Sequence, residues 1–180
     1  MRTFPRLWCT ALLVGATGTA AIAQIKHFTL EEMVRTADQA VEGQIIGSRA
    51  FRADSPDAGA ELYYTTITIQ GRALGSGQPI TVDVTFRGGF VSETEGVFNS
   101  EAPAADDVKL GKRVVAFYRW TDDMGGGVPA NALVASHGGL YRVVDGPRGA
   151  TVLGRGAGYA LAANRRMEHL ESAVRLAKNR

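Results

Sequence analysis

Cysteine is almost absent from this chain of 180 residues: Cys9 is the only one. A lone thiol excludes an internal disulfide and a thiolate metal cluster. Histidine is nearly as scarce. His27, His137 and His169 have no pairwise spacing that suits metal ligation. Net charge is missing too: 20 Lys plus Arg face 18 Asp plus Glu, and Arg2 and Arg6 make up the difference. Beyond residue 23 the formal charge is zero, so nothing electrostatic favours a nucleic acid or an anionic membrane surface as partner. A run of ~20 apolar residues able to cross a bilayer is lacking as well.

What is present begins with export. Arg2 and Arg6 precede an uncharged stretch, Leu7 to Ala23, ending Ala21-Ile22-Ala23, the small-x-small pattern of a signal-peptidase site. Residues 1–23 therefore read as a signal peptide, cut before Gln24, with Cys9 leaving in the discarded piece. Gly15, Gly18 and several alanines and threonines dilute the stretch against a retained anchor. Cys9 follows bulky Trp8 early in the run, which argues against a lipoprotein. The expectation is a periplasmic or secreted protein with no stable membrane anchor after cleavage. Residues 24–180 suit one domain, held by packing alone.

Along that domain, Thr29-Leu30-Glu31-Glu32 is a capping box, and Leu30, Met33, Val34 and Ala37 recur at helical spacing. The pattern predicts a helix over about 30–39. Val41–Arg49 reads as a strand with Gly43 and Gly47 as bend points, and Phe51–Glu61 as a polar hairpin loop. Residues 63–70 and 80–86 alternate with period two, flanking a turn at Gly75–Pro79. Gly88–Gly111 has no period and reads as a long loop. Arg113–Trp120 is another strand, followed by a glycine-rich turn at Asp122–Pro129. Leu133–Ala135, Leu140–Val144 and Thr151–Leu153 suggest short strands, with a turn at Asp145-Gly146. Met167, Leu170, Val174 and Ala177 then mark an amphipathic helix over about 164–178. The expectation is a mainly β, small antiparallel β-barrel with a helix near each end.

The order of several pieces carries a resemblance. Leu30-Glu31-Glu32-Met33-Val34, Ala37-Asp38, Val41-Glu42-Gly43-Gln44-Ile45, Tyr64-Thr65-Thr66-Ile67-Thr68, Gly88-Gly89, Gly111-Lys112-Arg113-Val114-Val115-Ala116-Phe117 and Leu140-Tyr141-Arg142-Val143 run in sequence through most of residues 28–144. That order resembles a group of exported bacterial domains of unassigned role, and the OB-type barrel of netrin-like modules and tissue inhibitors of metalloproteinases. The resemblance implies an OB-like barrel. It does not carry the inhibitors' mechanism, which uses an N-terminal cysteine on the enzyme's zinc, because Gln24 would stand there.

No catalytic signature stands out. His137-Gly138-Gly139 has the look of part of an oxyanion loop, but no Gly-x-Ser-x-Gly elbow accompanies it. Asp106-Asp107 and Asp122-Asp123 read as solvated loop carboxylates without calcium spacing, as do Asp54, Asp57 and Glu61. Gly154-x-Gly156-x-Gly158 lacks the spacing of a dinucleotide fingerprint. No cofactor or metal is expected. Tyr63, Tyr64, Phe86, Phe117, Tyr118 and Trp120 are either core or an aromatic ligand platform.

The informative stretch is Gly88–Phe98. Phe90, Val91, Val97 and Phe98 are apolar residues in a loop long for a compact domain. They either meet a partner or cover the core. The expected function is an exported, non-enzymatic binding or structural domain of the cell envelope. Its partner would be another envelope or secreted protein, or an envelope component, and its oligomeric state stays open. The rival is an envelope hydrolase, which would have to bring His137 together with Asp122 or Asp123 and a serine.

Overall fold

Thr29 opens the first helix as the sequence predicts. Its hydroxyl accepts from the Glu32 backbone N–H, and the Glu32 carboxylate accepts from the Thr29 backbone N–H. This computed structural model describes residues 28–53 and 61–178. The proposed signal segment, Gln24, His27, and Asp54, Pro56, Asp57 and Gly59 of the hairpin loop lie outside the described residues. Helix α1 spans Leu30–Thr36, ending three residues earlier than its periodicity suggests, because the chain turns extended at Ala37.

Strand β1, Gln39–Ala53, is longer than expected and pairs twice. From Val41 to Ala53 it runs antiparallel to β2, Leu62–Ala73. Its first part, Gln39 to Gln44, also pairs with β6, Arg113–Thr121. The bend in β1 falls between Ile45 and Gly47, as a bulge. Gly43 does something different: it faces Gly71 across the ladder in regular register. A Cβ on Gly43 would lie 2.4 Å from the Gln70 carbonyl oxygen, and one on Gly71 would lie 2.0 Å from that of Glu42. Only glycine lets the two backbones approach this closely.

Strand β3, Pro79–Arg87, pairs antiparallel with β2. The long loop after it is partly structured. It holds a two-stranded ribbon, β4 (Gly89–Phe90) with β5 (Gly96–Val97), and a 3-10 turn at Ala105–Asp107. Strand β7, Ala130–Leu133, starts three residues before the expected one. The sheet closes in the order β1-β2-β3-β7-β6 and back to β1. One pairing departs from the antiparallel expectation: β3 and β7 run parallel through Thr85 and Ala132. Short connections favour antiparallel neighbours, but these two strands are joined through the crossover and β6. Five strands closed in this way form an OB-like barrel.

Strands β8 (Leu140–Gly146), β9 (Gly149–Val152) and β10 (Arg165–Arg166) extend the sheet outward from β6, and helix α2, Met167–Lys178, follows directly. The apolar residues divide into two cores. Val41, Ile45, Ile67, Ile69, Val84, Val114, Ala116 and Leu140 fill the barrel. Val115, Phe117 and Tyr141 face the other way and pack under Met33 and Val34 of α1 and Leu170 and Val174 of α2. Covering both faces explains why β6 reads as a continuous apolar run instead of an alternating one.

Candidate functional site

The crossover from β3 to β6 lies over the barrel and leaves a half-open cavity of about 640 Å³ beneath it. Phe86 from the barrel, Phe90 from β4, Val97 from β5, and Phe98, Pro103 and Val108 line it. The ribbon depends on Gly96 (φ 157°), where a Cβ would sit 2.4 Å from the Gly89 carbonyl oxygen and 2.5 Å from the Phe90 Cα. Pinching the strands there holds Phe90 at the cavity edge. The run Ala102-Pro103-Ala104-Ala105 supplies a wall of small side chains and leaves the volume unfilled.

Three of the four sequence candidates, Phe90, Val97 and Phe98, line this cavity, and all four are exposed: Phe98 by 81%, Phe90 by 55%, Val97 by 45% and Val91 by 39%. Val91 is not among the lining residues; its backbone N–H donates to Glu95 inside the ribbon. The aromatic residues weighed as a platform are mostly core, since Tyr63, Tyr64, Phe86, Phe117 and Tyr118 are buried and only Trp120 is exposed. Burial pushes the Tyr64, Tyr118 and Tyr141 phenols above their ordinary value. Tyr64 donates to the Met124 and Gly125 carbonyls and Tyr118 to the Gln39 side chain at 2.6 Å, while Tyr141 accepts from the Leu161 backbone N–H.

Most polar side chains on the cavity wall are committed elsewhere. His137 sits after two residues in left-handed backbone, Ala135 and Ser136 (φ 54° and 51°). Its Nδ1 lies 3.0 Å from the Glu101 carbonyl and its Nε2 lies 2.8 Å from the Tyr159 hydroxyl. A carbonyl only accepts, so Nδ1 carries the proton, and in the neutral ring Nε2 accepts from Tyr159. Thr65 donates to the Gly88 carbonyl. Asn99 donates to the Arg87 carbonyl and accepts from the Glu101 backbone. Arg155 donates from Nε to the Leu140 carbonyl and from Nη2 to Asp107, both at 2.9 Å.

The carboxylates divide. Asp107 is not solvated, contrary to the sequence reading: it is nearly buried and also takes Arg142 at 3.2 Å. Its arginine partners lie 35 and 48 residues further along the chain, so no local spacing announces them. Asp106 is open to water, and its pairing with Lys109 holds it below the ordinary carboxylate range. Asp122 accepts from the Trp120 indole, and Asp123 accepts from the Gly125 and Gly127 backbones, fixing their own turn. Glu61 pairs with Arg52. His169 is exposed beside Glu168. The constellation that the hydrolase reading needs, His137 with Asp122 or Asp123, is therefore not assembled. No group of three His, Cys, Asp or Glu suits a metal among the described residues, and no helix there is long and apolar enough to cross a membrane.

A second cleft of similar volume lies where β1, β2 and β6 meet. Its charges are mutually satisfied: buried Glu42 takes Arg72 at 3.0 Å and Arg113 at 2.5 Å, and these reach Glu171 and Asp145. It reads as a structural clamp between barrel and α2. Sequence reasoning missed Arg155, the burial and pairing of Asp107, and the small-residue wall; only Ala102, Ala104 and Ala105, too small to fill a loop's interior, carry a local signal. No protein-family model, no curated protein and no solved structure matches the chain significantly.

Proposed function

We propose that the protein is an exported, non-enzymatic binding domain of the cell envelope, and that the cavity under the β3–β6 crossover is where it binds. One observation carries the reading: Phe90, Val97 and Phe98 stand exposed around a half-open apolar cavity of about 640 Å³. Exposed apolar surface of this kind is costly, and association relieves the cost. The volume falls within the ~300–1,000 Å³ usual for ligand sites. Export rests on the Arg2 to Ala23 pattern.

The test uses chain beginning at Gln24 as bait on envelope extract, with both protein and solvent-extractable material analysed. The bait should retain a component that Phe90→Ser with Phe98→Ser does not. Equal retention by both baits would remove the cavity from the account. Intact mass of protein from the envelope fraction should correspond to a start at Gln24, and a form retaining Cys9 would overturn the export reading.

A further inference from the structure

We propose that the cavity takes a single-chain carboxylate amphiphile, a fatty acid in chemical class, with its chain against Phe90 and Phe98 and its head at Arg155. The inference rests on the binding reading above and names its ligand.

The argument starts from what the wall offers. Phe86, Phe90, Val97, Phe98, Pro103 and Val108 present carbon, while Thr65, Asn99 and His137 have their polar atoms engaged. A peptide entering this space would bring amide groups with few partners, and each unpaired buried amide is costly. An acyl chain brings no polar group to satisfy along its length, so it suits a wall that, Ser100 and Arg155 apart, offers few free polar side-chain atoms.

The head follows from charge. Arg155 lines the cavity, and its Nη1 makes no hydrogen bond among the described residues, whereas Nε and Nη2 are used. Its carboxylate partner, Asp107, is shared with Arg142. Lys109 and Lys112 lie close by, acting on Asp106. Four cations thus surround two carboxylates, and adding Glu101 still leaves positive charge in excess. In a chain formally neutral after residue 23, this surplus lies around Asp106 and Asp107, next to the Arg155 that lines the cavity. An anionic head at Arg155 would use the free donor and the surplus together.

The experiment is calorimetric titration of the chain from Gln24 with dodecanoate, dodecanol and dodecylamine, each below its aggregation concentration. Dodecanoate should bind one to one and about tenfold or more tighter than the alcohol or the amine, the effect of one charge-assisted contact. Added salt should narrow that gap. Phe90→Ser with Phe98→Ser should weaken dodecanoate and dodecanol alike. Arg155→Met should lower dodecanoate affinity about tenfold and leave dodecanol binding unchanged, the alcohol reporting that the variant is folded. Equal affinity for the three heads, or dodecanoate binding indifferent to both variants, would overturn the proposal. If no twelve-carbon probe binds while the wild-type bait still captures an envelope component that the Phe90/Phe98 variant does not, the ligand class falls and the binding reading stands. If neither occurs, both fall.

Discussion

The barrel has two apolar flanks, and the chain treats them differently. On the flank behind β6, Val115, Phe117 and Tyr141 are sealed by α1 and α2, and Met33, Leu170 and Val174 come to 5% exposure or less. On the flank under the crossover, Phe90, Val97 and Phe98 meet no such cover. Burying each large apolar side chain is worth ~1.5–3 kcal/mol, and that gain is realised on the first flank and forgone on the second. A fold that seals one face with two helices while leaving a Gly-pinched ribbon of phenylalanines open on another separates the work of stability from the work of contact.

The sharpest way to break that contrast is on the sealed flank. Leu170→Ala removes a fully buried side chain from between α2 and the barrel and should cost about 2–5 kcal/mol in chemical denaturation. A loss below about 0.5 kcal/mol would mean the helix does not seal the face. Next comes the clamp. Glu42→Ala leaves Arg72 and Arg113 facing each other without their shared carboxylate, though each keeps a second partner and is partly exposed. The loss should be smaller, about 1–3 kcal/mol, below the figure for a fully buried broken pair.

On the open flank, effects should fall on binding. Gly96→Val cannot be accommodated in the ribbon without moving Gly89 and Phe90. It should weaken ligand capture while lowering the melting temperature by no more than about 4 °C, roughly 1 kcal/mol for a domain of this size. The smallest effect belongs to Asp106. Its folded pKa is lowered, so the Lys109 pairing contributes above the unfolded carboxyl pKa and is lost as pH falls through the folded value. Both groups are exposed, so Asp106→Asn should leave the melting temperature unchanged at pH 7 and remove only a slight acid-side dependence.

How much of this was legible depends on range. The capping box at Thr29, the alternation at 63–70 and 80–86, and the Met167–Ala177 stripe are local patterns, and each matches an element of the structure. The parallel β3–β7 pairing was not legible, because it depends on which distant strands meet. The open flank was half legible: Phe90, Val97 and Phe98 stood out as apolar residues in a long loop, but whether they covered or faced outward depended on the ribbon at Gly89 and Gly96. Arg155 and Asp107 are joined only by the fold.

The central claim is that the crossover's phenylalanines do not hold the barrel together. Thermal melting of Phe90→Ser with Phe98→Ser, run beside wild type and Leu170→Ala, tests it most directly. The account predicts a midpoint within about 2 °C of wild type, equivalent to roughly 0.5–1 kcal/mol. A fall as large as that of Leu170→Ala would show that the two rings seal the core, and would contradict the account.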